Sequence, residues 1–454
     1  MKKFTRTISG VTPVAVMTQP MDCPGECIYC PTYPATPQSY TPESPAVLRG
    51  RNCDFDAGGQ VLLRLKALSN MGHPTDKIEL IVMGGTFLSL PHDYQYTFIK
   101  ECFDALNGEK SASLAEAKQR NETAVHRCTG LCIETRPDWC GQEEVGRMLE
   151  FGATRVELGV QVLDDDIYRL VRRGHTVEDV VSATSLLKEH GFKVHYHWMP
   201  GLPGSSPEKD LEMSRQLFDD PRFRPDGLKL YPTMVIEGTE LERWYREGLY
   251  HPYPIDTMID LVADIKATVP PYVRISRVLR DIPPQFIVAG CRDSLRGVVR
   301  QRMEENGMRC RCIRCREYGH RAITGRPIGE PRLVRIDYEA SGGREVFLSF
   351  EDENETLFGL LRLRVRSGKD SAAGDRATIR ELHVYGPEVP LKHQDTAAAQ
   401  HKGLGKALLR EAERLARDEF CVPELAVLSG VGARDYYRTE FGYHLRGDYM
   451  VGSL

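Results

Sequence analysis

The stretch Cys23-Pro24-Gly25-Glu26-Cys27-Ile28-Tyr29-Cys30 places three cysteines on a short loop that contains proline and glycine. Three thiolates at this C-x3-C-x2-C spacing can bind three irons of a four-iron cluster, which leaves the fourth iron open to a substrate or cofactor. A structural zinc site needs four protein ligands, and only Cys53 is a weak candidate for the fourth. The motif therefore favours an iron–sulfur cluster over zinc or free thiols.

Apolar segments that alternate with helical stretches follow this loop, and the alternation predicts a parallel α/β sheet. We predict helices that include 164–173 and 177–190, between strands at 78–83, 130–134, 155–160, 193–197 and 227–230. The first, second and fourth of these strands end in glycine-rich or polar turns. In a βα barrel, the carboxyl ends of the strands build the active site, so these turns are candidate site segments.

The pattern changes near residue 330, where short turns separate successive apolar segments and indicate an antiparallel sheet. Its strands are predicted at 332–338, 344–350, 356–365 and 377–385, followed by an amphipathic helix at 405–418. The sequence therefore predicts an α/β domain at 1–270, a linker at 271–330 and a second, α+β domain at 331–454.

The cysteine loop and the strand ends resemble those of the radical S-adenosylmethionine enzymes. An aromatic residue before the third cysteine is typical of that superfamily, and Met83-Gly84-Gly85-Thr86-Phe87 resembles its glycine turn. Glu157-Leu158-Gly159-Val160-Gln161 and Arg173-Gly174-His175-Thr176 are similar to the branch that contains oxygen-independent coproporphyrinogen oxidase. The resemblance implies a radical-SAM partial (βα) barrel with a 4Fe-4S cluster on Cys23, Cys27 and Cys30. It also implies S-adenosylmethionine binding by Gly84, Gly85, Thr86, Glu134, Arg136, Gln161 and His175.

Three further segments narrow the resemblance to the family of Elongator catalytic subunits, which modify tRNA. They are Arg6-Thr7-Ile8-Ser9-Gly10-Val11, Ile133-Glu134-Thr135-Arg136-Pro137-Asp138 and Lys229-Leu230-Tyr231-Pro232-Thr233. The resemblance implies that radical chemistry takes a hydrogen from the methyl group of acetyl-CoA and joins the acetyl unit to a base. The substrate would be the wobble uridine in the tRNA anticodon stem-loop, and the product after thioester hydrolysis would be 5-carboxymethyluridine.

A second motif, Gln400-His401-Lys402-Gly403-Leu404-Gly405-Lys406, opens a helix after a predicted strand. Backbone N–H groups at such a helix start favour a pyrophosphate, although the same pattern also occurs in ordinary loops. Together with the later Tyr436-Tyr437 pair, the motif resembles the GNAT acetyltransferases, in which one tyrosine can protonate the leaving thiolate. The resemblance implies acetyl-CoA binding by Lys77, Glu381, Leu382, His383, Val384, Gln400, His401, Lys402, Gly403, Leu404, Gly405, Lys406, Tyr436 and Tyr437.

A third motif, Cys310-Arg311-Cys312-Ile313-Arg314-Cys315, places three thiols within six residues. With Cys291 or His320 as the fourth ligand, these thiols fit a closed tetrahedral zinc site that links two domains. The alternative is that the three cysteines are reduced and bind no metal.

The net charge of −4 hides an arginine-rich segment. Residues 272–335 contain 15 arginines, no lysine and six acids, which gives this segment a net charge of +9. Arginine suits bidentate phosphate contacts, whereas the alternative is a solvated helical face. The resemblance implies that Arg274, Arg277 and Arg280 follow the tRNA phosphates. Because family members usually carry a further basic segment before the barrel, we expect tRNA affinity to depend on this linker or on a partner subunit.

Lys229 and Tyr231 lie at the end of a predicted strand and are expected to point into the barrel. We predict a catalytic role for both, because a buried lysine with a lowered pKa can act as a base or polarise a carbonyl. His195 and His197 would face one side of the neighbouring strand, where we expect them to line the pocket rather than bind metal.

Two other functions remain open at this point: a protein lysine acetyltransferase with a structural cluster, and a non-catalytic tRNA-binding scaffold. The chain has 454 residues, 41% of them hydrophobic, which excludes a single small module and extensive disorder. The sequence has neither an apolar run of membrane-spanning length nor a signal peptide, so we expect a cytoplasmic protein.

Overall fold

The computed structural model describes residues 7–292, 294–325, 327–366, 376–386 and 403–454. Its amino-terminal part is built on a sheet of seven parallel strands with the order β1-β2-β3-β4-β5-β6-β8. A short antiparallel pair, β7 and β9, lies outside this sheet. The strands are β1 Thr12–Met17, β2 Lys77–Met83, β3 Arg127–Thr135, β4 Arg155–Gln161, β5 Lys193–Trp198, β6 Gly227–Leu230, β7 Val235–Ile236, β8 Arg274–Val278 and β9 Ile287–Ala289.

Helices cover the outside of this parallel sheet, and buried apolar residues of both layers form one core. Several helices start at a side chain that accepts a backbone N–H, such as Thr176 before α7 and Ser206 before α8. The helices are α1 Pro45–Arg51, α2 Ala57–Asn70, α3 His92–Asn107, α4 Leu114–Asn121, α5 Gln142–Phe151, α6 Asp165–Leu170, α7 Val177–Glu189, α8 Pro207–Asp219, α9 Glu240–Arg246, α10 Ile255–Thr268, α11 Leu295–Glu305, α12 Ile313–Arg316 and α13 Tyr318–Ile323.

The carboxyl-terminal part is a second, mostly antiparallel seven-stranded sheet with the order β10-β11-β12-β13-β14-β16-β15. Its one parallel pair, β13 and β14, is in register only over 377–379, and β13 continues for five residues beyond that pairing. The elements are β10 Arg332–Ala340, β11 Gly343–Glu351, β12 Leu357–Arg366, β13 Arg376–Val384, α14 Leu404–Arg414, β14 Glu424–Val427, α15 Arg434–Phe441, β15 His444–Arg446 and β16 Tyr449–Ser453.

A buried network of charges joins the two domains. Arg380 on β13 donates to both carboxylate oxygens of Asp226, at 2.7 and 2.8 Å, and to Glu345 at 2.8 Å. Arg362 lies 3.4 Å from Asp226, and Arg364 donates to Glu345 at 2.8 Å. We call these five residues the interdomain clamp. Since their side chains are at most 7% exposed, removing one arginine would leave a buried carboxylate with fewer charged partners inside the protein.

The predicted strands and both predicted sheets are confirmed, with bounds that differ by a few residues. Two strands of the parallel sheet, β1 and β8, were not predicted. Because β8 starts at Arg274, the parallel sheet extends past the boundary expected at residue 270. Gln400, His401 and Lys402 lie outside the described residues. Among the described residues, no helix is long and apolar enough to cross a membrane.

Candidate active site

The three cysteines of the first motif line a cavity of about 270 Å³ at the carboxyl ends of the parallel strands. Each thiol lies beside a polar side chain of the cavity wall. Arg173 donates to Cys27 Sγ at 3.5 Å, and Gln38 donates to Cys30 Sγ at 3.5 Å. Cys23 Sγ lies 3.8 Å from the Thr86 hydroxyl. The structure thus brings the three predicted cluster ligands to one cavity.

Several buried polar atoms around this cavity have no hydrogen-bond partner among the described residues. They include Arg136 Nη1, Gln161 Oε1 and Arg173 Nε, whose residues all line the cavity. A buried polar atom without a partner destabilises a fold by about 1–3 kcal/mol, so these atoms fit a site that receives a polar ligand. The residues present therefore suit both a cluster and S-adenosylmethionine.

The glycine turn after β2 lies at the same end of the sheet. Gly84 has a φ of +136°, and a Cβ atom at this position would lie 1.9 Å from the Thr18 hydroxyl. Gly85 and Thr86 line the cavity, as predicted for residues that contact S-adenosylmethionine. Only glycine fits the turn at position 84, because any side chain would collide with the neighbouring strand end.

His175 lies behind this wall rather than at its surface. Its side chain is fully buried and its ring packs edge-on against Tyr168, with the ring centroids 4.4 Å apart. Burial, Arg173 and Arg136 together lower the pKa of His175 to about 2, so the imidazole is neutral. The structure places His175 beside Arg136 and Arg173, which line the cavity, while His175 itself does not line it.

A cluster of charges fills the centre of the half-barrel. Lys229 Nζ lies 3.1 Å from Glu134 Oε1 and forms a shorter contact with Glu157 Oε2. His197 Nε2 lies 3.1 Å from the same oxygen of Glu157, and the Tyr40 hydroxyl donates to Glu134 Oε2 at 3.2 Å. We call these five residues the junction cluster. They come from four neighbouring strands and one loop, so only the folded sheet brings them together.

The expectation that Lys229 has a lowered pKa is wrong. Burial alone would lower the pKa, but Glu157, Tyr231 and Glu134 raise it well above its ordinary value. Burial would likewise raise the pKa of Glu157, yet Lys229 and the hydrogen bond from His197 lower it well below its ordinary value. This direction of the pKa favours Lys229 as a cation that polarises a carbonyl over Lys229 as a general base.

A second cavity, of about 380 Å³, lies between the half-barrel and the second domain. Glu381, His383 and Tyr385 of the second domain line one side of it. Lys229 and Glu134 line both this cavity and the cysteine cavity. The junction cluster therefore separates a cavity at the cysteines from a cavity at the second domain.

The two histidines of β5 face these two cavities. His197 lines the cysteine cavity, where its ring lies 5.3 Å from that of Tyr231, the second predicted catalytic residue. His195 lines the interdomain cavity, and burial and Arg155 lower its pKa to about 3. Both histidines line cavities, as predicted.

Alternate side chains of β13 serve two different surfaces, as expected for a strand. Glu381 and His383 face the interdomain cavity, where Glu381 accepts from Arg362 at 2.8 Å and His383 Nε2 lies 2.6 Å from the Ser9 carbonyl oxygen. Leu382 packs against the core of the second domain, and Val384 lies near the amino end of α14. The end of β13 thus lies between the predicted acetyl-CoA site and the half-barrel.

The amino end of α14 and the tyrosine pair converge beside β13. A Cβ atom placed on Gly405 would lie 3.5 Å from Val384 Cγ2 and 3.6 Å from the Tyr436 hydroxyl. Gly403 precedes the helix with a φ of +77°, and Leu404 is the first helical residue. Lys406 forms an ion pair with Glu440.

Tyr436 and Tyr437 have different surroundings. Tyr436 is half-buried, and burial raises its pKa to about 12. Tyr437 is buried in the core of the second domain. Since a general acid must reach its substrate, the position of Tyr436 beside Gly405 favours it over Tyr437.

Lys77 is half-buried at the amino end of β2, paired in register with Arg127 of β3. Arg127 lies 3.8 Å from Asp435 of the second domain. Lys77 therefore lies near the domain interface, at the opposite end of the sheet from the cysteines.

The third motif forms a compact thiol group. The sulfur atoms of Cys310, Cys312 and Cys315 all lie within 4.8 Å of one another, and neither candidate fourth ligand belongs to this group. His320 lines the same cavity as Cys310 and Cys315, with its Nε2 3.0 Å from Glu317 Oε1. Hydrogen bonds from the two other thiols hold the pKa of Cys312 well below its usual range, and a thiolate is the form that binds metal.

The three arginines predicted to follow tRNA phosphates differ in accessibility. Arg274 is 19% exposed in its side chain and donates to Glu317 at 2.7 Å. Arg280 donates to the Ser39 hydroxyl at 2.9 Å. Arg277 is 41% exposed and pairs with Asp281 at 2.8 Å, so it is more accessible than Arg274.

Sequence reasoning missed the cationic wall of the interdomain cavity. The arginines and the lysine of this wall come from separate helices and strands with no common spacing, so no sequence motif marks them. They are Arg49, Arg64, Arg155, Lys193, Arg314 and Arg362.

Comparison with known families assigns the two parts of the chain to different families. Residues 21–217 match the Radical SAM superfamily, and residues 225–305 match the Radical_SAM C-terminal domain. Residues 315–443 match the Acetyltransferase (GNAT) family. The parallel half-barrel and the second sheet thus correspond to two separate catalytic families.

Two relatives align with both parts of the chain. The chain is 66% identical over 459 residues to a tRNA uridine(34) acetyltransferase of Dehalococcoides mccartyi (strain CBDB1), which covers 100% of both proteins. It is 44% identical over 470 residues to Elongator complex protein 3 of Homo sapiens, which covers 100% of this chain and 86% of that protein.

A solved structure agrees with this assignment. The archaeal Methanocaldococcus infernus Elp3 with an N-terminus deletion is 46% identical and superposes with a TM-score of 0.87 over 99% of this chain and 100% of that one. The chain therefore belongs to the family of tRNA uridine(34) acetyltransferases and Elongator complex protein 3, which join a Radical SAM half-barrel to a GNAT domain.

Proposed function

We propose that this protein converts the wobble uridine of tRNA to 5-carboxymethyluridine, with acetyl-CoA as the source of the two added carbons. The observation that carries the proposal is the position of the junction cluster. Lys229 and Glu134 line both the cavity of the three cysteines and the cavity that reaches Glu381 and His383 of the GNAT domain. A base held there would be accessible from both sites.

The cysteine cavity supplies the first half of this chemistry. Cys23, Cys27 and Cys30 would hold a 4Fe-4S cluster, and the unpaired polar atoms of Arg136 and Gln161 would bind S-adenosylmethionine. When bound, the two cofactors supply a carbon radical that removes a hydrogen atom from a methyl group. The protein's own contribution is a buried, polar cavity that positions the substrate and limits the access of water.

The GNAT domain supplies the second half. The amino end of α14 would bind the pyrophosphate of acetyl-CoA, since backbone N–H groups at a helix start favour a phosphate. Tyr436, half-buried beside Gly405, would donate the proton that the thiolate needs as it leaves. Tyr437 would support Tyr436 by packing, because the two rings meet edge to face with centroids 5.4 Å apart.

Zinc binding by the third motif is part of the same proposal. Cys310, Cys312 and Cys315 are close enough for one tetrahedral ion. The helix α12, which carries Cys315, contacts β8 and, through Arg316, donates to Glu351 of the GNAT sheet. Metal analysis should find one zinc per chain, which Cys312→Ser should remove. Loss of zinc in His320→Ala but not in Cys291→Ala would identify His320 as the fourth ligand.

The experiment that tests the main proposal follows the acetyl carbons. The purified protein, reconstituted under anaerobic conditions, is incubated with tRNA, reductant, S-adenosylmethionine and acetyl-CoA labelled with ¹³C in the methyl group. We expect labelled 5-carboxymethyluridine at position 34 by mass spectrometry, and none with Cys27→Ala. Acetyl transfer to a lysine peptide without any change in tRNA would instead support a protein acetyltransferase, and RNA binding alone would support a scaffold.

A further inference from the structure

The junction cluster has hydrogen-bonding capacity that its internal contacts do not use. An ammonium group has three N–H donors, and the contacts of Lys229 with Glu134 and Glu157 use two of them. A carboxylate has about four acceptor positions, and Glu134 accepts only from Lys229 and Tyr40 among the contacts of the described residues. One donor and at least one acceptor therefore remain for a ligand.

These free positions can be reached from the cavities. The side chains of Lys229 and Glu134 are 13% and 10% exposed, whereas that of Glu157 is only 2% exposed. The exposed parts of Lys229 and Glu134 contribute to the walls of both cavities. The cluster thus presents one cationic donor beside one anionic acceptor, while Glu157, which lines only the interdomain cavity and is 2% exposed, holds the cation in place.

This pair is complementary to one edge of uracil. The Watson–Crick edge of uracil has a carbonyl oxygen, O4, next to an N–H donor at N3. Enzymes that act on a base outside the stack read that edge through hydrogen bonds in a close-fitting pocket. We propose that Lys229 donates to O4 and Glu134 accepts from N3–H, so that this pair selects uridine. This inference rests on the proposed function and names how its substrate is recognised.

The same geometry disfavours cytosine. In the orientation that uracil would take, cytosine places an amino donor against the Lys229 ammonium and an unprotonated N3 against the Glu134 carboxylate. Both contacts are repulsive, and a buried group that loses its partner adds a further penalty.

The cluster is also held in a fixed position. His197 holds Glu157, which in turn holds Lys229, and Tyr40 holds the second oxygen of Glu134. A shift of cytosine by one hydrogen-bonding position would require these contacts to rearrange. His197 and Tyr40 are therefore positioning residues for the two groups that contact the base.

The first test changes the RNA and leaves the protein intact. Anticodon stem-loops carrying uridine, cytidine or N3-methyluridine at position 34 are titrated into the full-length reconstituted protein, and their Kd values are compared. We expect binding at least about 10-fold weaker for cytidine and for N3-methyluridine, the scale expected when hydrogen bonds to a base edge are lost. Equal affinity for the three RNAs would overturn the inference.

The second test changes the acceptor. Glu134→Gln keeps the shape of the side chain but adds a donor, so the preference for uridine over cytidine should fall at least about 5-fold. Glu79→Gln is the matched control, because Glu79 also lines the interdomain cavity but pairs with Arg155 instead of Lys229. The control should keep the wild-type preference.

Two further readouts separate this role from others. The affinity of Glu134→Gln for S-adenosylmethionine is measured as well, because Glu134 is also a predicted ligand of that cofactor. A changed affinity with an unchanged base preference would mean that Glu134 binds the cofactor instead of the base. Thermal unfolding of each variant shows whether the variant still folds. If Glu134→Gln does not fold, the comparison of the three stem-loops with the wild-type protein tests the inference.

Failure of this inference can be distinguished from failure of the proposed function. If the wild type prefers uridine-34 but forms no carboxymethyl product, the inference stands and the proposed reaction fails. If the product forms equally well on uridine and cytidine, the reaction stands and the inference fails.

Discussion

Two buried charge clusters, the interdomain clamp and the junction cluster, use the same residue types for different purposes. In the clamp, Asp226 and Arg380 are completely enclosed and paired with each other through two hydrogen bonds. In the junction cluster, Lys229 and Glu134 are paired but remain exposed to two cavities. Both clusters are charged, so the difference between them is burial. A charged side chain that is fully buried stabilises the fold, whereas one that is exposed to a cavity can bind a ligand.

The largest effect should come from breaking the clamp. Arg380→Met leaves Asp226 without its bidentate partner in a fully buried position, which should reduce the free energy of unfolding by about 3–5 kcal/mol. Denaturant unfolding measures the change. The control is Arg366→Met, whose pair with Glu189 also joins the domains but is about 40% exposed, so it should cost less than about 1 kcal/mol. If both variants lost the same free energy of unfolding, burial would not explain the stability that the clamp provides.

The tyrosine pair extends the comparison to the GNAT domain. Tyr436→Phe removes an accessible hydroxyl and should lower the rate of the proposed reaction, measured as acetyl-CoA consumed in the presence of tRNA, by about 100-fold, as expected for loss of a general acid. Tyr437→Phe removes a hydroxyl in the core and should keep most of the activity. The reverse order of the two rates would show that the enclosed tyrosine is the acid.

A smaller effect is expected in the pH dependence of stability. Lys229→Met removes the largest of the charges that lower the pKa of Glu157, so burial should then raise it. An acid whose pKa is higher in the folded state than in the unfolded state loses stability as pH rises. The variant should therefore be less stable at about pH 8 than at about pH 5, by about 1 kcal/mol or more.

Unfolding midpoints at the two pH values measure this change. The wild type, in which the pKa of Glu157 is lowered, should lose no stability through this carboxyl over the same interval. The double variant Lys229→Met, Glu157→Gln should lack the pH dependence of the single variant. If Lys229→Met showed the same pH dependence of stability as the wild type, the pKa of Glu157 would not depend on Lys229.

The smallest effect concerns the arginines. Arg277→Gln removes an accessible cation and should weaken binding of the anticodon stem-loop several-fold, with the slope of log Kd against log salt falling by about one. Arg274→Gln removes a less accessible partner of Glu317, so it should lower stability and leave the salt slope unchanged. If the slope of log Kd against log salt is the same for the two variants, Arg277 does not contact the RNA phosphates.

Local patterns in the sequence predicted much of the fold. Apolar segments such as the Leu-Ile-Val-Met run at 80–83 marked the inner strands, because strands buried on both faces contain few polar residues. The strand β8 was missed because its sequence, Arg-Ile-Ser-Arg-Val, contains neither a continuous apolar run nor a strict alternation and lies within an arginine-rich segment. Only the sheet, where β8 pairs with β6, reveals it as a strand.

The candidate site was predictable only where its chemistry is local in sequence. The cysteines of the first and third motifs are close together in the chain, so their spacing indicated metal ligands. The pKa of Lys229 depends on Glu134 and Glu157, which lie on other strands, and no spacing connects the three. The sequence therefore predicted a buried lysine correctly but gave the wrong direction for its pKa.

The most direct test of the distinction between enclosed and accessible charges measures two properties of two variants. Arg380→Met and Glu134→Gln are each assayed for the free energy of unfolding and for the ratio of Kd values for cytidine-34 and uridine-34 stem-loops. We predict that Arg380→Met lowers stability and keeps the wild-type ratio, while Glu134→Gln mainly lowers the ratio. If Arg380→Met shifts the ratio as much as Glu134→Gln does, the two clusters do not have separate roles and the account is wrong.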